Sequence, residues 1–487
     1  MSVATLRDTG GRAPVADTGP ARSPRPRVLV LSTSLLIHRT LRYTSFLVAL
    51  AREFDVTVWS SSEPESDVPD GPADWQPFPP VRPFREFPYN VARRLNEFAW
   101  DATLEIPSRE SIYRHTRRYP VAIRALRPVG QLIAALGLAN ALESRVERLL
   151  LLYPRSEEAA RRLATTRPAL VLTTGPFQFE QPAVVSAAKR LGVPVVALIP
   201  SWDNLSTKNR MVFGFDGYVV WSKGMRDELH AFYPQSREVP VHVTGAPQFD
   251  VFFQDRFRRS RQEFCASARL DPNRPFVVYA IGSPNFLKEH HGAIEMARRI
   301  ERGDLGNVQL LVRPHPDIPV PGLEAAFREF GSSIVVQRTG EPDVVRSARR
   351  QDAAAILDWV NTFRHADVVV NLSSTVGIDA ALCDRPVVNL DFDPEPGRPN
   401  QQLVKDVNHR WNHFKPIAES GGMWLADDMD QVVEAVRTYL AQPELHRDAR
   451  QRMVRLVAEH ADGRSGERLA ASVASLARAR GVQSPAS

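Results

Sequence analysis

Three short segments carry residue types that could do chemistry, and each directly follows an apolar run. In Arg313-Pro314-His315-Pro316, two prolines fix the backbone about His315 and hold the imidazole at low entropic cost, while Arg313 offers a planar cation to a phosphate or carboxylate. In Leu372-Ser373-Ser374-Thr375-Val376-Gly377-Ile378-Asp379, hydroxyls and free N–H groups open a predicted helix, a pattern suited to phosphate binding or to plain N-capping. Between Ile199 and Lys208, the residues Ser201, Trp202, Asp203, Asn204 and Lys208 crowd together after a strand. That density suits recognition of a hydroxylated acceptor, with Asp203 as its base if apolar surroundings raise the carboxyl pKa; the alternative is an Asx turn capping the next segment.

Two other residues compete with Asp203 as base. His38 follows the first strand, and imidazole titrates near neutrality unaided. Glu180 stands in Pro176-Phe177-Gln178-Phe179-Glu180 and equally suits the start of a helix. Gly282 and Ser283 close a further strand and join Arg313, His315 and Ser373–Thr375 as candidate nucleotide-binding residues. Asp391-Phe392-Asp393 resembles a carboxylate pair, but no third ligand is evident, so the segment is expected to touch a ribose or sugar hydroxyl and no metal is predicted.

The elements that must position these residues alternate between short apolar strands and helical patterns. Pro26–Ser34 and Asp55–Ser60, with a helical stretch over Thr40–Phe54 between them, predict a β-α-β opening of a doubly wound parallel sheet. The first loop lacks a G-x-G-x-x-G fingerprint, which disfavours a dinucleotide site there. A strand and loop at 169–176 and strands at 193–200, 218–222 and 241–245 extend the series, and a second series runs through 276–283, 308–313, 333–336, 367–372 and 386–390. The expected division is a flexible leader at 1–26, a Rossmann-like acceptor-side domain at 27–260, a linker at 261–275 and a donor-binding Rossmann-like domain at 276–487. A helical insertion is expected at about 64–155, and long helical patterns close the chain from Gln431 to Arg480.

Composition narrows the function classes. The chain has 487 residues, 43% hydrophobic and 24% charged, which suits two globular domains and excludes a wholly disordered, collagenous or coiled-coil protein. No apolar stretch is long enough to predict a membrane span. Cys265 and Cys383 lie far apart without metal-ligand spacing, so a reducing cytoplasm is the expected setting, at or near the inner face of the membrane. Net charge is +6, but residues 1–300 carry 40 Lys/Arg against 30 Asp/Glu while 301–487 carry 22 against 26. The basic half, with Arg114, Arg117 and Arg118 near the apolar Leu132–Leu136 run, suggests a peripheral contact with an anionic membrane; a helical insertion packed on its own domain is the alternative. No nucleic-acid-binding module accompanies the arginines, and no nucleic-acid partner is expected.

With two such domains and these motifs, the chain resembles glycosyltransferases of the GT-B fold, from about Val28 to Leu476. More narrowly, the segment at 313–316 and the Ser373-Ser374-Thr375 run resemble the HP and SS motifs of bacterial surface-polysaccharide transferases, among them polysialyltransferases and CDP-glycerol glycerophosphotransferases. The resemblance implies that His315, Ser373, Ser374 and Thr375 bind the donor nucleotide, with Asp379 at its ribose. Ser201–Leu205, Val243–Asp250 and His460–Ser465 are similar to stretches of the same group. The acidic-acidic-Gly motif of its sialyltransferases is absent, the nearest tripeptide being Phe215-Asp216-Gly217, and so is the glutamate pair of many retaining enzymes.

The implied activity is transfer of a sugar from a nucleotide-activated donor to a cell-envelope polysaccharide or lipid-linked acceptor. The expected displacement is inverting and metal-independent, the nucleotide-sugar is a co-substrate, and no cofactor is expected. Alternatives are a CDP-glycerol-type glycerophosphotransferase, a nucleotide-sugar 2-epimerase and a non-catalytic nucleotide- or carbohydrate-binding protein of the same fold.

Overall fold

A computed structural model of the chain describes residues 25–62, 71–115, 120–283, 287–315, 322–337 and 352–479. Leader residues 1–24, the start of the insertion at 63–70, Arg117, Arg118 and Pro316 lie outside the described residues.

Runs of Val, Leu and Ile with no polar alternation need burial on both faces, and they form two all-parallel sheets. The first sheet comprises β1 (Arg27–Ser32), β2 (Asp55–Ser60), β3 (Ala73–Pro77), β4 (Leu170–Thr173), β5 (Val195–Leu198), β6 (Gly217–Val220) and β7 (Val241–Val243). Its spatial order is β3-β2-β1-β4-β5-β6-β7. The second comprises β8 (Phe276–Ala280), β9 (Gln309–Arg313), β10 (Ile334–Val336), β11 (Val368–Asn371), β12 (Val387–Leu390) and β13 (Trp424–Ala426), in the order β10-β9-β8-β11-β12-β13. In each sheet the strand order reverses beside the first strand, between β1 and β4 and between β8 and β11. The carboxyl ends at these reversals are where such sheets bind ligands.

The boundaries differ from the sequence expectation in several places, among them strand β13, which follows the expected series. Thr40–Phe54 is not one helix: helices Leu35–Tyr43 and Phe46–Leu50 meet at Thr44, whose hydroxyl bonds the Thr40 carbonyl at 2.5 Å. The insertion begins with a strand, because β3 pairs in parallel with β2 from Ala73 to Pro77, and helices follow only from Tyr89. The segment expected as a linker holds the helix Arg261–Ala268, with a Ser260/Glu263 capping box. Phe264 packs on Phe276 and Arg261 pairs with Asp367 at 3.0 Å, tying this helix to the second domain.

The chain's end crosses between the domains. The long helical patterns expected there form three helices, Met429–Ala441, Arg447–Ala458 and Ser465–Ala479, and the last leaves the second domain. Its Leu469, Val473 and Leu476 share one apolar cluster with Val28, Val30, Leu170 and Leu172 of the first sheet. Gly217 admits this helix, since a Cβ there would lie 2.9 Å from Leu476 Cδ2. The Asp250 carboxylate accepts the Ser465 and Gly466 N–H groups at 3.1 and 2.7 Å and fixes where the helix starts.

Candidate active site between the two domains

The first domain's contribution begins after β5. Trp202 is nearly buried, and its indole N–H donates to Thr375 Oγ1 of the second domain at 3.2 Å. Asp203 accepts bonds from the Ser201 hydroxyl at 2.6 Å, Asn204 Nδ2 at 3.0 Å and the Thr207 hydroxyl at 2.9 Å. Burial opposes its charge, yet Lys208, His413 and the Ser201 and Thr207 hydroxyls together hold its carboxyl below the usual range. The rise expected of a base at Asp203 is therefore absent. It is an ionised group organising the short helix Asn204–Thr207.

A carboxyl that does rise lies next to it. Burial lifts Glu228, on the helix Lys223–Phe232, to about 8 against a hydrogen bond from the Ser206 hydroxyl. Ser206 Oγ also stands 3.1 Å from Nδ1 of His413, a second-domain residue. Burial lowers His413 to about 4 despite nearby Asp203, and its ring meets Trp202 edge-on at 4.9 Å.

The second domain supplies the loops at its strand-order reversal. Ser373 adopts φ 47°, a left-handed conformation unusual for serine, and two amides secure it. Its N–H donates to Asn389 Oδ1 and its hydroxyl to Asn408 Oδ1, both at 2.6 Å. The Ser374 N–H donates to Asn371 Oδ1 at 3.2 Å, and its Oγ accepts the Val376 N–H at 3.3 Å. Across the reversal, the Gly282 N–H donates to Glu289 Oε2 at 3.1 Å, with Ser283 half-buried beside it. A Cβ at Gly282 would lie 2.4 Å from Glu289 Oε1, so any side chain there would displace that carboxylate. Burial lifts Glu289 to about 8.

A charged cluster joins the two halves. Arg313 ends β9 with 6% of its surface exposed, and its guanidinium lies over Trp359 at 4.7 Å. Arg39, on the first domain's helix Leu35–Tyr43, lies over the same ring at 5.6 Å. Burial raises Asp379 to about 7 against the pull of both arginines. Burial likewise brings Arg313 down to about 10 and lowers Arg39. The other acid facing Arg313, Asp358, pairs with Arg259 at 2.9 Å. Two cations thus share one carboxyl that is only partly ionised near neutrality. Arg313 Nε and Asp379 Oδ1 are buried with no hydrogen-bond partner among the described residues.

No family model matches the chain, and no curated protein matches it. Solved structures do. A Listeria monocytogenes structure described as a UDP-N-acetylglucosamine 2-epimerase superposes with a TM-score of 0.52 at 14% identity, over 95% of this chain and 98% of that one. A second UDP-N-acetylglucosamine 2-epimerase gives 0.51 at 13% identity, over 96% and 99%. Identities this low establish architecture only, and with the two facing parallel sheets that architecture is decided. The chain has the GT-B fold. The wall teichoic acid polymerase TagF is also similar, at 10% identity over 94% of this chain and 90% of that one, with a TM-score of 0.48.

The GT-B cleft brings together Trp202 and Thr375 directly, and Asp379 with Arg313 through electrostatic contact. His315 lies half-buried two residues beyond Arg313, and Lys208 is exposed just after the helix Asn204–Thr207. The other expected bases stand elsewhere. His38 is buried in the first domain, 3.4 Å from Ser60 Oγ, and burial lowers it to about 4, so it does not titrate near neutrality. Glu180 starts the helix Gln181–Arg190 and pairs with Arg85 at 3.2 Å.

Asp391 and Asp393 are also engaged within the protein. Asp391 accepts bonds from Lys405 Nζ and His409 Nε2 at 2.7 Å, and Asp393 accepts the Glu395 and Asn400 N–H groups. Sequence reading passed over Arg39, Trp359, His413, Glu228 and Glu289. Two of these had a local signal. Arg39 directly follows His38, and Glu228 is an acid three residues after Met225 on an otherwise apolar helix face.

Proposed function

We propose that the chain is a nucleotide-sugar-dependent glycosyltransferase. It would move a sugar to a cell-envelope polysaccharide or lipid-linked acceptor by an inverting, metal-independent displacement. The observation that carries the reading is the positive surplus of half-buried Arg39 and buried Arg313 around Trp359. Unbalanced buried charge is costly, and an anion seated between the two guanidiniums would relieve it. A phosphate of a nucleotide donor fits that chemistry, with His315 and the Ser373, Ser374 and Thr375 hydroxyls as its further polar contacts. Two cations there also favour charge developing on the leaving phosphate.

The insertion supports a transferase over an epimerase, which needs no acceptor. Its helix Pro107–His115 packs on both the first domain's Asn204–Thr207 and the second domain's Gln401–Arg410, adding a wall to the cleft. The same insertion suggests an anionic membrane contact. Val129, Leu132 and Leu136 are exposed on and just after the helix Arg127–Ala135, and Arg124, Arg145 and Arg148 are exposed nearby. Arg114 pairs with Glu110 at 2.8 Å. No helix among the described residues is long and apolar enough to cross a membrane.

The test is a thermal-shift panel of CMP, CDP, UDP, GDP and dTDP on the wild type and His315→Ala, followed by product analysis with the matching nucleotide-sugar. A ligand at about 100 times its Kd adds roughly 2.7 kcal/mol, enough for a readable shift. The reading predicts a nucleotide-selective shift that weakens in His315→Ala, and acceptor-dependent release of nucleotide. A sugar isomerised on its nucleotide without acceptor would favour the 2-epimerase instead. No shift with any nucleotide overturns both.

A further inference from the structure

We propose that His413, Ser206 and Glu228 form a proton relay, with His413 as the general base that takes the acceptor's proton; this rests on the transferase reading above. The three residues come from different elements and meet only across the domain interface. His413 follows the helix Gln401–Arg410 of the second domain, Ser206 lies in the helix Asn204–Thr207 of the first, and Glu228 projects from the first domain's Lys223–Phe232. Ser206 is fully buried, 3.1 Å from His413 Nδ1 and 3.5 Å from the Asp203 carbonyl oxygen, and its helix packs on the helix that carries Glu228, whose charged carboxyl the Ser206 hydroxyl favours. Its own backbone is held as well, since the Ser108 hydroxyl bonds the Ser206 carbonyl at 2.7 Å and lies 3.2 Å from Asn412 Oδ1.

Proton bookkeeping follows from that order. With His413 Nδ1–H donating to Ser206 Oγ and the Ser206 hydroxyl donating to the Glu228 carboxylate, Nε2 is left with the lone pair. Nε2 has no hydrogen-bond partner among the described residues. Trp202 lies against the ring and itself reaches Thr375, which puts His413 one indole away from the Ser373–Thr375 loop. In the reaction, the acceptor hydroxyl proton passes to Nε2 as its oxygen bonds the donor's anomeric carbon. The bond from that carbon to the phosphate oxygen breaks, and its electron pair leaves on the phosphate. The Nδ1 proton moves to Ser206, and the Ser206 proton moves to Glu228.

The surroundings suit a neutral ring and a proton-hungry sink. Burial makes imidazolium costly, so a ring that gains a proton at Nε2 must shed one at Nδ1. The charged and titratable groups about the relay are Asp203, which raises the proton affinity of both His413 and Glu228, and Lys208, which faces Asp203. Glu228 accepts a proton only when ionised, so turnover should rise with pH through about 8.

The experiment compares the full-length wild type with His413→Asn and Glu228→Gln. Asparagine can keep the bond to Ser206 but has nothing in the place of Nε2. Nucleotide release is followed with UDP-N-acetylglucosamine, GDP-mannose and CMP-N-acetylneuraminate as donors and a bacterial lipid and polysaccharide extract as acceptor, beside thermal shifts with UDP, GDP and CMP. The expected result is a fall in kcat of about 100-fold or more in His413→Asn with the nucleotide shift retained. In Glu228→Gln the rise near pH 8 should disappear while KM holds.

A merely structural histidine would lower thermal stability and leave the pH profile in place. A kcat within threefold of the wild type in His413→Asn, with the limb intact, overturns the relay. Nucleotide binding without release from any of the three donors in the wild type also counts against it. Absence of nucleotide binding in the wild type overturns the transferase reading itself.

Discussion

Arg39 and Arg313, one from each domain, lie over the same indole, that of Trp359, and face the single carboxyl of Asp379. Each guanidinium is attracted to the ring and repelled by the other, so the arrangement persists because the fold holds it, and it favours an anion.

Removing one cation should separate binding from stability. Arg39→Ala is expected to weaken CDP or UDP binding by about tenfold or more, as loss of a charge-assisted contact does. Its Tm should stay at or above that of the wild type, because a like-charge contact is relieved. Calorimetric titration and a melting curve on the same preparation check both parts.

The Asp379 carboxyl makes that affinity depend on pH. Its pKa is raised to about 7 in the protein, so it is largely protonated at pH 6 and ionised at pH 8. A bound phosphate favours the protonated form, and affinity should therefore fall as pH rises through about 7, with proton uptake on binding. Titrations of UDP and CDP at pH 6 and 8 in two buffers of different ionisation enthalpy measure this. In Asp379→Asn the pH slope should flatten.

Glu289 has a stability signature of its own. Its folded pKa, raised by burial to about 8, exceeds the ordinary glutamate value, so the folded state holds the proton more tightly than the unfolded one. The stability it contributes is full below about pH 4.5 and is lost as pH rises through 8. Glu289→Gln cannot ionise and can still accept the Gly282 N–H. It should melt higher than the wild type at pH 8, by on the order of 2 kcal/mol, with the gap closing by pH 5. Melting curves across that range decide it.

The last helix should behave as part of the first domain. Leu469 is fully buried against Val28 and Val30, so Leu469→Ala is expected to cost about 2–5 kcal/mol. Hydrogen exchange should show β1 and β4 losing protection before β8 and β11. Loss of protection confined to the second sheet would contradict this assignment.

Much of this architecture is local in origin and legible in the chain. Runs such as Val368-Val369-Val370 can be stable only as strands buried on both faces, so two doubly wound sheets and the loops that follow their strands could be read from residue order. The hydroxyls at 373–375 and Arg313 stand at strand ends for the same reason. β3 was missed because Ala73-Asp74-Trp75-Gln76-Pro77 is an edge strand with polar residues and a proline, which carries no such pattern.

Tertiary structure alone decided the electrostatics and the partnerships across the chain. Asp203 and Glu228 are both acids with unremarkable neighbours in sequence. One is pulled down by Lys208, His413 and the hydroxyls of Ser201 and Thr207, while the other is pushed up by burial, and a pKa depends on neighbours in space. Arg39 meets Trp359, His413 meets Ser206, and Leu469 meets Val28 across separations of hundreds of residues. Sequence periodicity determined the buried strands and most of the helices; the closing of two sheets upon one another determined which of their side chains could act together.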